Sequence, residues 1–460
     1  MGKKMKVEHN IRDTSHHAAN SKKTTGKPAK QQKAKPKAQQ PEASPSSAVA
    51  DINAANVLPL THQQRLLSSF ASAFQPVLAS PAFATILQEV KAALYARDFD
   101  AAFTSAKAES LDAYAARWSP TRALAYAVVL LGIAEHLEGL EGQVKNAAED
   151  EAGGGAQAEG GAEVAEAAEG LEKLIVEDKT GDAPRDLNSS SPSTDDQEVP
   201  PAAEDDAATP PPPASEPTET TTTAVTPKTT TQIKKEIKIL SIGGGAAELA
   251  ALAAYLSQQP AYLKGTITCL DAAPWAPVVS KLHAALTVPP PASRYANEAQ
   301  ATAAALVEPA ARLSSSFSHL DALAMSRDQL SESIGKEALL ITLLFTLNEL
   351  YTAAGIGKTT AFLLNLTATV PLGSLLLVVD SPGSYSEAAV GKESKKYPMQ
   401  WLMDHTLVNK PQKDGVFPGC RWEKIESSDS VWFRLADSLN YPISLENMRY
   451  QMHLYRATKP

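Results

Sequence analysis

The sequence predicts an α/β protein: a mainly parallel sheet covered on both faces by helices, preceded by an all-α module and ending in an antiparallel hairpin. Three observations carry this expectation. From residue 234 onward, short unbroken apolar runs alternate with helix-period segments, the pattern of strands buried on both faces. A Gly243-Gly244-Gly245 turn follows the first run directly. Further runs lead into acids at Asp271, Asp321 and Asp380.

The elements are read in chain order. Residues 1–50 are rich in Lys, Ala, Gln and Pro, carry 11 Lys+Arg against 2 Asp+Glu over residues 1–40, and read as a disordered basic tail suited to phosphates or to a nuclear address. Residues 51–142 read as a helical module: Leu66, Leu67, Phe70 and Phe74 recur at helical spacing, as do Phe83, Ile86, Leu87, Val90 and Leu94. Ser119-Pro120 reads as a helix start, hydroxyl at N-cap and proline at N1. Residues 143–232 form a low-complexity linker, with 19 acids against 4 bases over 141–210. Such a composition buries too little apolar surface to offset the entropy of ordering.

Residues 233–460 carry the sheet. Ile237–Ile242, Thr266–Leu270, Leu313–Leu320, Leu339–Leu347 and Leu375–Val379 read as five strands. Ala246–Leu256, Val278–Leu286 and Thr359–Val370 read as helices. Arg421–Ser427 and Ser430–Leu435 read as an antiparallel pair joined by Ser428-Asp429.

Composition narrows the function. A chain of 460 residues exceeds one ordinary core. Two cysteines exclude a disulfide framework and a thiolate metal cluster, and the nine histidines show no metal-ligand spacing. No metal is expected. The longest apolar runs, Ala123–Ala134 and Ala338–Leu347, fall short of the ~18 residues of a spanning helix. With no secretory leader visible, the expectation is an intracellular protein of the nucleus, nucleolus or cytoplasm, away from membranes.

The chemistry concentrates at the glycine turn. Glycines let the chain turn tightly and a ligand approach closely. Asp271, closing the second strand, is placed to accept both ribose hydroxyls of an adenosine. Asp321, closing the third, can accept from an adenine amine. A dinucleotide fingerprint needs a third glycine where Glu248 stands, and an acid in the first helical turn repels a diphosphate. S-adenosylmethionine (SAM) has no phosphate and carries an ammonium, so Glu248 suits it. Gly357-Lys358-Thr359 is not a P-loop, because Thr352 stands where the motif needs glycine. Lys392, Lys395 and Lys396 beside Tyr397 and Trp401 form a basic-aromatic patch fit for RNA. His283, His319 and His405 have no nucleophile at triad spacing and read as structural.

Three segments resemble fungal large-subunit ribosomal RNA (uridine-N(3)) methyltransferases: 344–350 (Leu344-Phe345-Thr346-Leu347-Asn348-Glu349-Leu350), 373–386 with its run Asp380-Ser381-Pro382-Gly383-Ser384-Tyr385-Ser386, and Glu446-Asn447-Met448-Arg449-Tyr450-Gln451. The stretch 114–126, with Arg117-Trp118-Ser119-Pro120-Thr121-Arg122, is similar to that family's N-terminal module. The resemblance implies a Rossmann-like class I methyltransferase fold with a seven-stranded sheet, SAM as cofactor, and uracil N3 in ribosomal RNA or a pre-ribosomal particle as acceptor. Gly243, Gly244 and Gly245 would then cradle the methionine end, Asp271 the ribose and Asp321 the adenine. N3 starts as a weakly acidic N–H on the pairing edge, so the base must lose a proton and leave its stack. Glu349 is the candidate proton acceptor and Asn348 the candidate partner of a uracil carbonyl. Asp380, Ser381, Ser384, Tyr385, Lys395, Lys396, Arg117 and Arg122 are the candidate RNA contacts. Two alternatives stay open: a non-catalytic assembly factor with the same fold, or a methyltransferase acting on protein or a small molecule.

Overall fold

A computed structural model describes residues 50–53, 57–140, 235–289, 305–383, 385–390, 393–408 and 419–460. The basic tail and the acidic linker of the sequence reading lie outside these residues.

A short strand, β1 (Ala50–Asn53), precedes the helical segment: α1 (Leu60–Ala73), α2 (Gln75–Leu78), α3 (Phe83–Tyr95), a π-helical turn at Asp100–Thr104, α4 (Ala108–Gly132) and α5 (Ala134–Glu138). The alternating part follows: β2 (Glu236–Ile242), α6 (Ala246–Ser257), β3 (Lys264–Asp271), α7 (Ala276–Thr287), β4 (Leu313–His319), α8 (Arg327–Ile334), β5 (Leu340–Leu344), α9 (Leu347–Thr369) and β6 (Leu375–Asp380). A hairpin of β7 (Tyr385–Val390) and β8 (Glu393–Pro398) comes next, then α10 (Met399–Leu407), β9 (Arg421–Arg434) and β10 (Met448–Thr458).

The sheet runs β1-β9-β10-β6-β5-β2-β3-β4. Every pairing within it is parallel except those of β10, which is antiparallel to both β6 and β9. Seven of the strands form the expected class I arrangement, and β1 adds an eighth at the β9 edge. β2, β3 and β4 step outward in one direction, and β5 and β6 in the other. The order therefore reverses between β2 and β5, and a crevice opens at their carboxyl ends. All residues of β5 and β6 are buried, as their unbroken apolar runs require.

One core lies between the sheet and α6, α7, α1 and α4; a second lies between the other face and α8, α9 and α10. The helical segment does not stand apart from the sheet. α4 packs along α6, and Leu66, Phe70 and Tyr126 share a cluster with Leu249, Leu252 and Ile267. α6 is buried on every side from Ala246 to Leu256. Its alanines let α4 approach from outside while Leu252 and Leu256 press on Gly265 of β3.

Three expectations are corrected. Pro120 does not begin a helix but sits buried inside α4. Proline leaves the carbonyl four residues back without its N–H, and the Tyr441 hydroxyl donates to that Ala116 carbonyl at 2.8 Å. Ser428-Asp429 does not turn the chain. β9 runs straight through, pairing Ser428 with Met452 and Val431 with Tyr450, so Asp429 and Ser430 together oppose Gln451 in a β-bulge. The fourth strand is shorter than its apolar run: it ends at Leu344, and α9 starts at Leu347 rather than Thr359, broken at Gly355 (φ 84°). Apolar residues continue across the strand-to-helix turn, so periodicity cannot place that boundary.

Candidate active site

The reversal of strand order sets the site. At the end of β2, Gly243 turns the chain with φ +69° and its N–H donates to Leu270 O at 2.8 Å. A methyl group added at Gly243 would stand 2.3 Å from Thr346, so the bare backbone is required for the turn to lie against the end of β5. Gly245 caps α6, and the buried Glu248 reaches back to accept its N–H at 2.8 Å. Glu248 is thus an acid facing the first turn of the helix, held neutral more readily than usual because burial pushes its pKa up.

A cavity of about 630 Å³ opens here, lined by Gly243, Gly245, Glu248, Asp271, Asp321 and Glu349 among others. Asp271 ends β3 and accepts the Ala273 N–H at 2.7 Å. Burial, then the nearby Glu248 charge, raises its pKa to about 7. Asp321 is exposed at the rim and accepts the Leu323 N–H at 2.9 Å. Glu349 stands in the first turn of α9, and burial followed by repulsion from Asp271 raises its pKa to about 8. The helical segment supplies part of the wall through Phe99, Phe103, Tyr114 and Arg122.

The other candidates sit as follows. Asn348 does not line the cavity: its N–H donates to Asp380 at 3.0 Å, and its side-chain oxygen is buried without a hydrogen bond. Asp380, buried, also accepts the Ser381 N–H at 2.7 Å, and burial raises its pKa to about 6. It caps α9 from behind. Gly244 faces Ser241 rather than the cavity. Ser381 is exposed, and its carbonyl accepts from Gln451 at 2.7 Å. Arg117 forms an ion pair with Glu446. Arg122 is half-buried, hydrogen-bonded to the Tyr114 hydroxyl, its guanidinium 4.9 Å from the Phe345 ring centre. It lies on the wall of the cavity. Ser384 lies outside the described residues. Tyr385 falls on β7, Lys395 and Lys396 on β8. Tyr397, Trp401 and His405 stack in series, with ring centres 5.2 and 5.0 Å apart. His283 and His319 bond to Ser315 and to the Ala272 carbonyl, and Lys358 is inside α9, not in a phosphate-binding loop.

Sequence reasoning did not find Tyr114, Trp275, Phe345 or Thr346, all on the cavity wall. Phe345 holds φ +59°, a strained conformation for a side-chain-bearing residue. Nothing in the letter F announces it. Trp275, just beyond Asp271 and against Gly245, was visible but carried no pattern.

The donor set fits SAM. The volume falls within the ~300–1,000 Å³ of small-molecule sites. Asp100, Glu248, Asp271, Asp321 and Glu349 outnumber Arg122 and Lys358, which suits a ligand whose sulfonium and ammonium outweigh its carboxylate. Among the described residues there is no metal-binding group and no helix long and apolar enough to cross a membrane.

Sheet order and cavity together define the class I methyltransferase fold. The chain belongs to the family described as "Putative SAM-dependent methyltransferase", matched over residues 70–456. It is 33% identical over 246 residues to the 25S rRNA (uridine(2843)-N(3))-methyltransferase of Saccharomyces cerevisiae, an alignment covering 48% of this chain and 60% of that protein. Among solved structures, a SAM-dependent methyltransferase from Methanosarcina mazei matches at 10% identity and TM-score 0.26, covering 48% of this chain and 93% of the other. The N-methyltransferase NodS of Bradyrhizobium japonicum, in complex with S-adenosyl-L-homocysteine, matches at 11% and 0.24, covering 48% and 78%.

Proposed function

We propose that this chain methylates N3 of a uridine in large-subunit ribosomal RNA, acting in ribosome assembly in the nucleus or nucleolus. One observation carries the reading: the S. cerevisiae relative named for that reaction is 33% identical. The site's chemistry supports it. Gly243 and Gly245, on the cavity wall, offer their backbone to the methionine end, Asp271 is offered to the ribose and Asp321 to the adenine. When bound, SAM supplies a methyl whose bond to sulfur breaks with its electrons kept by the thioether.

The chain's own task is to position the acceptor and take its proton. Among the described residues Glu349 is the acid on the cavity placed after β5, and its raised pKa of about 8 makes it a stronger base than an ordinary carboxylate. It takes the N3 proton as the N3 lone pair forms the bond to the methyl carbon. Asp380 acts as a positioning residue, fixing the first turn of α9 that carries Glu349. Ser381, exposed at the end of β6, together with Ser384, Tyr385, Lys395 and Lys396 makes the RNA contacts in this reading. Mass mapping of nucleosides in ribosomal RNA from cells lacking the protein tests the reading. Loss of one 3-methyluridine is expected; an unchanged 3-methyluridine content refutes it.

A further inference from the structure

A second, smaller cavity of about 140 Å³ opens between α4, the end of β5 and the start of β10. It shares two wall residues with the large cavity, Arg122 and Phe345. Trp118 and Met448 give it apolar walls, Asn447 and Arg122 give it donors, and Glu446, which also lines it, is neutralised by its ion pair with Arg117. Asn447 Oδ1 already accepts the Leu435 N–H at 2.9 Å, so its NH2 group is what the cavity can use. Neither Asp271 nor Asp321 lines the smaller cavity.

We infer that this side cavity receives the acceptor base, and that it selects a single-ring base with two carbonyls flanking the reacting nitrogen. The inference rests on the RNA-methylating reading and deepens it. Three features converge. The cavity adjoins the large one through the shared walls Arg122 and Phe345, so a base seated there lies next to a ligand held in the large one. The walls combine aromatic faces, which hold any flat ring, with guanidinium and amide donors, which match carbonyl oxygens. Phe345, the shared wall, is the residue held at φ +59°, strain of the kind kept at functional sites.

Arg122 then has a second use. Loss of the N3 proton spreads negative charge onto the neighbouring carbonyl oxygens. Arg122, its guanidinium 4.9 Å from the Phe345 ring centre and on the wall of both cavities, is the cation that stabilises it. Cytosine presents an amine at one of those places, leaving donor against donor.

The test uses the full-length protein with S-adenosylhomocysteine and a seven-nucleotide oligouridine carrying one central 4-thiouridine. After irradiation, adducts are mapped by mass spectrometry. The expected adducts fall on the peptides containing Trp118, Phe345 or residues 446–448. They should be competed by the all-uridine oligomer at least ten times better than by the all-cytidine oligomer. Asn447→Asp keeps the acceptor for Leu435 and so preserves the fold, but replaces the amide donors by a negative charge. It should lower adduct yield at least tenfold with the affinity for S-adenosylhomocysteine unchanged. Adducts confined to other peptides, such as that of Trp401, equal competition by both oligomers, or an unaffected Asn447→Asp variant would each overturn the inference. Filter retention of the oligomers and of ribosomal RNA fragments separates the two failures. RNA retained without adducts in the pocket refutes the pocket alone, and no retention of any RNA refutes the RNA-methylating reading as well.

Discussion

Gly243 shows what one missing side chain does. Its φ of +69° and the 2.3 Å approach of Thr346 leave no room for a β-carbon. Gly243→Ala should destabilise the protein by ~1–3 kcal/mol and abolish calorimetric binding of S-adenosylhomocysteine. Asp271→Asn should weaken that binding by about 10–100-fold, the range for a charged hydrogen bond to hydroxyls. Glu349 belongs to another category of test. With a folded pKa of about 8, it is half-ionised only above neutrality, so methyl transfer to RNA should rise with pH and level off beyond that value. Glu349→Gln should lower kcat by ~10²–10⁴ and remove that rise, leaving cofactor affinity within a few-fold. A pH–rate profile identical in the two proteins would remove Glu349 from the reaction. These residues differed in how far their roles were legible. The glycines and Asp271 were marked by their positions at strand ends. Glu349 was suggested by resemblance together with its place after the fourth strand, and Phe345 by neither, because a backbone angle leaves no trace in a residue's name.

At the scale of the element, α4 and β9 show how local signals mislead. Ser-Pro commonly opens a helix, since proline lacks an N–H that the first turn does not need. In α4 the deficit falls mid-helix, and Tyr441, distant in sequence, supplies the donor to Ala116. Tyr441→Phe should cost ~1–3 kcal/mol by leaving a buried carbonyl unpaired. Pro120→Ala restores an N–H at that place, so in its background the same tyrosine change should cost markedly less. Equal losses by chemical denaturation in both backgrounds would mean that Tyr441 acts through packing instead. In β9, Ser428-Asp429 read as a turn because both residues favour one; the partner strand β10, unforeseen as a strand, keeps the chain extended, and only a bulge at Asp429 and Ser430 marks the place. The central strands were legible because burial on both faces leaves an unbroken apolar run. Strand ends and pairing partners were not, since they are fixed by tertiary contacts.

At the scale of the whole molecule, the site gathers acids. Asp271, Glu349, Asp380 and Glu248 all have raised pKa values, each chiefly through burial. The folded protein thus holds protons on these groups that the unfolded chain has released. The stability they contribute is full below the ordinary carboxylate range and, for Asp380, Asp271 and Glu349, is lost as pH rises through about 6, 7 and 8. His453, lowered to about 4 by burial, acts in the opposite sense only below its unfolded value of 6.5. Melting temperature without cofactor should therefore fall between pH 6.5 and 8, and Glu349→Gln should flatten the fall. Binding a cationic ligand favours the ionised acids, so SAM should bind more tightly, with proton release, as pH rises over the same range. A thermal shift by SAM that is constant from pH 6 to 8 would contradict this account.

The mutual burial of α4 and α6 has a further consequence. Residues from both sides of the acidic stretch complete a single interior, so neither portion has a finished surface of its own. Cutting the covalent connection there should leave the two fragments held together through purification and still able to bind nucleoside. Produced separately, each should be sticky and poorly soluble until it meets the other. During synthesis the leading helices emerge first and have to wait, half of their apolar faces bare, for the strands that will shelter them.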